Sequence, residues 1–369
     1  MSDYPDPFVN HTEDTPAATP GVLLHAAWQC PSNIAIIKYW GKKNGQFPAN
    51  PSLSMTLDQA HTQTKVSVVT GYQGNGLLSL NGDTNHPFLP KMRHLLNCIR
   101  EEVSVLRGVS LKAHTANNFP HSTGIASSAS GIGAFALCLV DLGYQLAGET
   151  PRRNDFMSAA SRFARMGSGS ACRSLYSGFT VWGATPWITG SSDEYAIPAP
   201  GLIHPDMRQI KDAILVISTK PKELPSSGGH QLMKGHPFLG GRISQADKNL
   251  VDALSALVEN DFEKLGNIAE NEALTLHALI MSAIPGTILL KPATLEVIHL
   301  IREARQTGIP VFFTLDAGAN VHVLYPGHSA QMVEKFIADA LQPFCENGLV
   351  IYDHCGSGPM KLNGNQPPG

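Results

Sequence analysis

The chain has 369 residues, 43% of them hydrophobic and 15% charged, which is enough apolar material for a large core and excludes wholesale disorder. Its 27 basic and 30 acidic residues give a net charge of −3, which argues against a nucleic-acid platform or a basic membrane-surface protein. Any anionic ligand must therefore be held by locally placed cations and backbone N–H groups.

Strand-forming runs dominate the first part of the chain, after a lead at residues 1–21 that is expected to be disordered. The lead is acidic and rich in Pro and Thr, and it lacks the basic and apolar regions of a secretory signal. Asn81-Gly82, directly after a strand-forming run, predicts a hairpin. The predicted strands span residues 25–30, 34–39, 52–56, 64–69, 77–80, 111–116 and 178–182, and the predicted helices span residues 90–106, 124–146 and 151–166.

The composition shifts near residues 198–201, Pro-Ala-Pro-Gly, which predicts a boundary between two halves. Beyond it, the predicted strands span residues 213–219, 311–315, 321–325 and 349–352, and the predicted helices span residues 244–257, 261–283 and 294–306, with another helix after Gly327. Because strands and helices mix without strict alternation, the sequence predicts an α+β fold. The predicted domains are residues 22–200 and 201–355, followed by a loose tail at residues 356–369.

Six scattered cysteines without C-x-x-C spacing predict neither a disulfide framework nor a zinc site. The segment 353–355, Asp-His-Cys, contains ligand-like residue types, but adjacent residues rarely converge on one metal ion. The most apolar helix candidate, residues 131–140, is cut at Asp141, far short of the roughly 20 residues that span a bilayer. The chain is therefore predicted to be cytoplasmic and to bind neither a membrane nor nucleic acid.

Residues 117–131, Asn-Asn-Phe-Pro-His-Ser-Thr-Gly-Ile-Ala-Ser-Ser-Ala-Ser-Gly, carry a predicted strand through a loop of small residues into an apolar helix. The first turn of a helix leaves backbone N–H groups unpaired and carries about +0.5 charge, so this pattern indicates an anion-binding loop. The alternative is a helix N-cap whose small residues pack against a sheet. No P-loop, no G-x-G-x-x-G opening a helix and no G-x-S-x-G occurs in the sequence.

Three charged residues stand in unusual surroundings. Lys38 follows a nearly continuous apolar strand, where a cation is costly unless it is paired. Asp316 ends another apolar strand just before a glycine turn, which favours either a catalytic carboxylate or a plain turn-former. Arg173 lies in a Ser- and Gly-rich helix start and suits bidentate capture of a carboxylate, the alternative being a solvated helix face.

These segments resemble a known family. The loop from Pro120 to Ser128 is similar to the phosphate loop of the GHMP kinase superfamily, with Ile125 where Leu is usual. Residues 30–43, Cys-Pro-Ser-Asn-Ile-Ala-Ile-Ile-Lys-Tyr-Trp-Gly-Lys-Lys, residues 167–174, Gly-Ser-Gly-Ser-Ala-Cys-Arg-Ser, and residues 316–321, Asp-Ala-Gly-Ala-Asn-Val, resemble further blocks of the diphosphomevalonate decarboxylases. The four blocks occur in family order over most of the chain. The resemblance implies a GHMP kinase fold, with a ribosomal protein S5 domain 2-like first half, a ferredoxin-like second half and a cleft between them.

The resemblance also implies a reaction. Mevalonate 5-diphosphate and ATP would give isopentenyl diphosphate, CO₂, ADP and phosphate, a step in the mevalonate pathway of isoprenoid biosynthesis. The C3 hydroxyl, a poor leaving group, is first phosphorylated. Loss of that phosphate then leaves developing positive charge at C3, and the carboxylate departs as CO₂. ATP and Mg²⁺ are the expected cofactors, and a homodimer is the family expectation. No protein motif for a metal is found, so Mg²⁺ is expected to arrive with ATP, with Ser128 as the candidate contact.

The family's site residues carry over by position. Asp316 is expected to orient or deprotonate the C3 hydroxyl, Lys38 to keep Asp316 ionised, and Arg173 to hold the substrate carboxylate. Ser128 is the expected contact of the γ-phosphate. The remaining expected substrate-binding residues are Tyr39, Lys42, Ser168, Ser170 and Ser227, and the expected ATP-binding residues are Pro120, Ser122, Gly124, Ala126, Ser127 and Ser128.

The sequence departs from the family pattern in two places. Gly228 stands where some bacterial members carry an Arg that contacts the diphosphate, so Lys220, Lys222 or His230 would compensate, or Lys42 would act alone. Ala319 replaces a Pro without removing a functional group. The alternatives on this scaffold are a mevalonate 5-phosphate decarboxylase, a mevalonate 3-kinase or a ligand sensor. The presence of Asp316 disfavours the sensor, and the complete set of charged residues disfavours the kinase.

Overall fold

The structure is a computed structural model that describes residues 24–43, 46–69, 77–80, 82–119, 127–220, 224 and 226–363. The predicted lead and the loop residues 120–126 lie outside these ranges. The strands are β1 (His25–Ile37), β2 (Ser52–Val69), β3 (Leu77–Leu80), β4 (Ser110–Asn117), β5 (Phe179–Trp182), β6 (Ile197–Pro198), β7 (Lys211–Leu215), β8 (Phe312–Thr314), β9 (Val321–Tyr325), β10 (Val350–His354) and β11 (Met360–Lys361). The helices are α1 (Leu89–Glu102), α2 (Ser127–Ala147), α3 (Arg153–Gly167), α4 (Ser226–Gln231), α5 (Leu239–Glu259), α6 (Phe262–Ser282), α7 (Pro292–Gln306) and α8 (Ala330–Phe336).

Two sheets organise the described residues, and the predicted α+β class is confirmed. The larger sheet runs β11-β1-β2-β4-β3, with β5 paired to the other end of β2 and β6 paired to β5. The smaller sheet runs β10-β7-β9-β8. The long strand β2 has a different partner at each of its ends: residues 52–55 pair with β5, and residues 62–69 pair with β4.

Several local predictions differ from the structure. The runs at 25–30 and 34–39 are joined into one strand, β1, because a register shift between Pro31 and Asn33 accommodates the proline without a break, and this strand ends at Ile37, two residues before the predicted end. The hairpin predicted at Asn81-Gly82 is limited to a single antiparallel bridge between Leu80 and Asp83, and the strand that pairs with β3 is β4, in parallel, with α1 between them along the chain. The predicted loose tail contains β11, which pairs with Trp28 and Gln29 of β1.

Helix α2 is the central helix of the larger sheet. Its segment 128–147 is long and apolar enough to cross a membrane by length and composition, yet 89% of that apolar window is buried inside the protein. Asp141, which interrupts the apolar run, accepts a 2.7 Å hydrogen bond from the Trp28 indole and pairs with Lys361 at 2.8 Å. These contacts indicate a helix that packs as protein core.

Asp353 joins the two sheets. Its side chain is 3% exposed and accepts the backbone N–H groups of Asp58, Gln59 and Ala60 at 2.8, 2.9 and 2.8 Å. These donors lie in the middle of β2, between the stretches that pair with β5 and β4. Since unpaired buried N–H groups are costly, Asp353 satisfies the part of β2 that the neighbouring strands leave open.

Candidate functional site

Lys38 and Asp316, predicted from two distant blocks, form an ion pair. The Lys38 Nζ lies 3.2 Å from the Asp316 Oδ1 and donates a second hydrogen bond of 2.6 Å to the Ala35 carbonyl. Lys38 directly follows β1, and Asp316 follows β8, so the pair brings the two sheets together at one point. The Lys38 side chain is 2% exposed, whereas that of Asp316 is 31% exposed. Asp316 is therefore the member of the pair that an entering ligand can touch.

The burial of Lys38 alters its proton affinity. Burial lowers the pKa of the Lys38 amine below its ordinary value, Arg173 lowers it further, and the nearby carboxylates of Asp316 and Glu272 oppose both effects. The charged state of Lys38 consequently depends on its two anionic neighbours.

Arg173 lies beside this pair on a 3-10 helix, Gly169–Leu175. It is 3% exposed, and one guanidinium nitrogen donates a 2.8 Å hydrogen bond to the Ser52 hydroxyl. Its Nε is buried and has no hydrogen-bond partner within the described part of the chain. Burial lowers the pKa of Arg173, and the charges of Asp316 and Tyr39 counteract that effect. A buried, unsatisfied donor of this kind fits an anionic ligand atom.

Tyr39 and the serine segment form a wall of the same site. The Tyr39 ring contacts Trp182 edge-on at 4.6 Å between centroids, and its buried hydroxyl has no hydrogen-bond partner among the described residues. The half-buried hydroxyls of Ser168 and Ser170 lie 3.4 Å apart. Gly169 stands between them, where a Cβ would come within 2.8 Å of Trp182 and 3.0 Å of the Tyr39 hydroxyl. Only glycine permits this close approach of the serine segment to Tyr39.

Lys42 lies at the exposed end of the same chain segment. It is exposed and donates a hydrogen bond to the Gln46 side chain. His230 on α4 is 9% exposed, and its Nδ1 accepts the Gly41 N–H at 3.1 Å. The His230 ring packs 4.3 Å from the Tyr39 ring. Helix α4 thus lies against the segment that carries Tyr39 and Lys42.

Only some of the expected phosphate-binding residues lie within the part of the chain that the structure describes. Pro120, Ser122, Gly124 and Ala126 lie outside the described residues. Helix α2 begins at Ser127, and Ser128 is half-buried in its first turn. The side chains of Ser127 and of Ser227, which lies in α4, are also outside the described atoms, as is Lys222.

Sequence reasoning missed a polar network beside Lys38. Glu272 on α6 and Arg242 on α5 are buried, and both contact the Lys38 backbone. Asn50 donates a third hydrogen bond, of 3.0 Å, to the Lys38 carbonyl. His277, also on α6, lies 3.2 Å from the Asp316 carbonyl through its Nε2. The signal in the sequence that could have found them is the E-x-x-x-x-H-A spacing of Glu272 and His277, which resembles a segment of the family named above.

His230 gives a prediction for stability. Burial, Lys42 and Arg173 lower the pKa of His230 from 6.5 to about 3, so the folded chain holds this ring neutral. Below pH 6.5 His230 binds a proton in the unfolded chain but stays neutral in the folded chain. The free energy of unfolding therefore decreases as the pH falls from about 6.5 to about 3. Relative to His230→Met, we expect the wild type to lose about 2 kcal/mol more between pH 7 and pH 5, as measured by urea unfolding. Parallel losses in the two proteins would contradict a neutral buried His230.

Comparisons with known proteins agree with this geometry. A family model described as the diphosphomevalonate decarboxylase-like N-terminal domain matches residues 30–194, and one described as the mevalonate 5-diphosphate decarboxylase C-terminal domain matches residues 213–359. The diphosphomevalonate decarboxylase of Candida albicans is 31% identical over 82% of this chain and 84% of its own length.

Solved structures give the same result. The mevalonate diphosphate decarboxylase of Enterococcus faecalis is 30% identical and has a TM-score of 0.78, with coverage of 92% of this chain and 99% of that one. A complex of MDDEF with MVAPP, AMPPCP and magnesium matches with a TM-score of 0.79 at 30% identity and the same coverage. The expected GHMP kinase fold is confirmed by these matches. Taken with the two family models, they show that the chain belongs to the diphosphomevalonate decarboxylase family.

Proposed function

We propose that this protein catalyses the ATP-dependent decarboxylation of mevalonate 5-diphosphate to isopentenyl diphosphate. The observation that carries the proposal is the partly exposed Asp316 carboxylate, paired with buried Lys38 and flanked by Arg173, whose Nε has no partner among the described residues. Family membership supports the same reaction, as do the mevalonate diphosphate and ATP analogue named for solved relatives.

The chemistry needs a base-like group at the C3 hydroxyl of the substrate. Asp316 orients this hydroxyl or accepts its proton while the hydroxyl oxygen forms a bond to the γ-phosphorus of ATP and the bond to ADP breaks. The new phosphate then leaves C3 with its bonding electrons. The electron pair of the bond between the carboxylate and C2 forms the double bond, and CO₂ departs. A partly exposed carboxylate held by a buried ammonium suits both the first step and the stabilisation of positive charge at C3.

The other groups bind the two anionic ends of the substrate. Arg173 suits the substrate carboxylate because a guanidinium can donate two parallel hydrogen bonds to it. Tyr39 and Lys42 would bind the diphosphate, since Lys42 lies at the exposed end of the site and the buried Tyr39 hydroxyl lacks a partner within the described chain. Ser168 and Ser170 would contact the substrate from the wall beside Tyr39, and Ser227 from α4.

MgATP would enter as the second substrate at the start of α2. The helix begins at Ser127, and a helix N-terminus with half-buried Ser128 in its first turn fits a phosphate group. Ser127, Ser128 and the preceding loop, Pro120, Ser122, Gly124 and Ala126, form the proposed ATP-binding set. Mg²⁺ on the phosphates would neutralise their charge, and Ser128 is the proposed contact.

A cytoplasmic location is part of the proposal. All six cysteines are free in the structure, which fits a reducing compartment. A homodimer is also proposed, from the family resemblance, and sedimentation equilibrium measures it directly.

One assay tests the proposal and its alternatives. The protein is incubated with MgATP and, in turn, mevalonate, mevalonate 5-phosphate and mevalonate 5-diphosphate, while ADP and CO₂ are followed together. We expect equal amounts of ADP and CO₂ with the diphosphate and little of either with the other two compounds.

The other outcomes each point to a different function. ADP without CO₂ would indicate a 3-kinase, and no ADP with any of the compounds would indicate a sensor. Turnover confined to the monophosphate would show that the chain, with Gly228 in its α4 segment, does not use a second phosphate.

A further inference from the structure

A buried ion pair lies directly against the backbone of Lys38. Arg242 and Glu272 are 3% and 0% exposed. Arg242 donates two hydrogen bonds to Glu272, one of 2.7 Å from Nη1 to Oε1 and one of 2.6 Å from Nη2 to Oε2. Glu272 also accepts a 2.8 Å hydrogen bond from the Asn249 side chain. The pair links α5 to α6, and neither member belongs to the proposed catalytic, substrate-binding or ATP-binding residues.

The same pair holds both polar backbone groups of Lys38. The Lys38 N–H donates to the Glu272 Oε2 at 2.8 Å, and the Lys38 carbonyl accepts from the Arg242 NH2 at 2.8 Å. The Glu272 carboxylate therefore holds the N–H group of Lys38, and the Arg242 guanidinium bonded to it holds the carbonyl group of the same residue. Because Lys38 lies just beyond the end of β1, no sheet partner fixes its backbone there. The ion pair supplies this constraint at both backbone groups, and the Asn50 side chain adds a hydrogen bond at the carbonyl only.

A buried ion pair contributes little net free energy to folding, because desolvation of both charges offsets their attraction. Removing two charges from water costs several kcal/mol per ion, and apolar residues of similar volume often replace buried ion pairs without loss. Stability alone is therefore a poor account of the pair, and the residue whose backbone both members hold is Lys38. The Glu272 carboxylate also favours the charged form of the Lys38 amine. Burial lowers the pKa of Lys38, and Glu272 is one of the two anions that raise it again.

We propose that the Arg242–Glu272 pair positions Lys38 for the reaction and that Glu272 supplies a permanent anion that keeps the Lys38 amine charged. The inference rests on the proposed function for its catalytic meaning. When Asp316 accepts the proton of the C3 hydroxyl, its own negative charge disappears. Glu272 is fully buried and hydrogen-bonded to Arg242, so it takes no part in that proton transfer.

Other charged groups around Lys38 act in known directions. Asp316 stabilises the charged amine, while Arg173 destabilises it from the 3-10 helix. Asp212 on β7 is within electrostatic reach of Lys38, and it is hydrogen-bonded to His322 on β9 at 2.7 Å. His277 on α6 contacts the backbone oxygen of Asp316 and not its carboxylate. None of these groups also holds the Lys38 backbone, which distinguishes the role of the Arg242–Glu272 pair.

The test compares two buried glutamates on one helix. Glu270, two residues before Glu272, is 4% exposed and pairs with Arg305 at 2.6 Å. Glu270→Gln therefore removes a buried, Arg-paired carboxylate of α6 without touching Lys38, and Glu272→Gln removes the one that does. Lys38 is titrated by NMR in ¹³C-lysine-labelled full-length protein, its signal being assigned by its absence from Lys38→Met.

We expect the Lys38 titration midpoint to move to lower pH in Glu272→Gln and to stay at the wild-type value in Glu270→Gln. In the same proteins, kcat for CO₂ release should fall about tenfold or more only in Glu272→Gln, with its alkaline limb displaced to lower pH. KM for ATP should not change. A shared destabilisation of both variants would leave these differences intact.

A double variant covers the case in which Glu272→Gln folds poorly. Arg242→Met with Glu272→Gln leaves no uncompensated buried charge, so it is expected to regain thermal stability but to keep the lowered Lys38 midpoint. A wild-type midpoint and a wild-type kcat profile in the folded double variant would overturn the inference. Absence of CO₂ release by the wild type would refute the proposed function instead, since the NMR titration does not require turnover.

Discussion

Replacing Asp316 by Asn is expected to abolish turnover of mevalonate 5-diphosphate while ATP binding stays largely intact. The side chain keeps its size, but an amide cannot accept the proton of the C3 hydroxyl and bears no charge to stabilise C3. The loss should exceed a thousandfold, equivalent to about 4 kcal/mol of transition-state stabilisation. The measurement is CO₂ release under saturating MgATP, with ATP affinity determined by calorimetry.

Asp339 on the surface offers the matched control for Asp316→Asn. It pairs with Lys335 at 2.6 Å, and both side chains are well exposed. Asp339→Asn therefore breaks a Lys–Asp pair of the same chemistry away from the site, and full activity is expected. If Asp316→Asn retained more than a few per cent of wild-type activity, Asp316 would have no place in the mechanism.

Replacing Arg173 by Gln is the second large effect we expect. A buried guanidinium whose Nε has no partner among the described residues should make its missing hydrogen bonds to the substrate carboxylate. Loss of a charged hydrogen bond of this type is worth about 1.5–3 kcal/mol, so kcat/KM for mevalonate 5-diphosphate should fall by about tenfold to a hundredfold or more. Arg173→Lys should recover only part of the activity, because an ammonium cannot donate in parallel to two carboxylate oxygens.

Arg162 provides the comparison for Arg173. It is 5% exposed, and it forms ion pairs with Glu102 at 2.5 Å and with Glu194 at 3.8 Å, so carboxylates of the protein itself balance its charge. Arg162→Gln should lower the midpoint of thermal unfolding and leave kcat/KM near the wild-type value. Equal kinetic losses in the two arginine variants would show that Arg173 acts through stability and not through the substrate.

The sequence was informative where one residue type carries one kind of chemistry. Lys38, Arg173 and Asp316 stand out locally because charged side chains follow apolar strands or lie in Gly- and Ser-rich turns, and the structure brings these three together. Their roles in the reaction stay predictions. Arg242 and Glu272 could not be recognised in this way, because Arg and Glu on amphipathic helices are usually solvated. Their burial follows only from how α5 and α6 pack against the end of β1.

The fold was likewise predictable only in part from the sequence. Helix and strand positions followed from spacing, with β9 predicted residue for residue at 321–325. Pairing did not follow, because it depends on residues far apart along the chain. The turn signal at Asn81-Gly82 corresponds to a single Leu80–Asp83 bridge and does not indicate that β3 pairs in parallel with β4. The bulge that keeps β1 continuous past Pro31 is defined only by its register with β2.

The carboxylate of Asp353 has a consequence for how the chain acquires its shape. Three backbone N–H groups of β2 obtain their acceptor from β10, almost three hundred residues later along the polypeptide. During synthesis on the ribosome, these donors can therefore reach their native acceptor only after nearly the whole chain has emerged. Lys38 likewise meets Asp316 only at that late stage. The ion pair of the proposed active site therefore cannot form before residue 316 has been synthesised, and a chain that ends before Asp316 cannot assemble it.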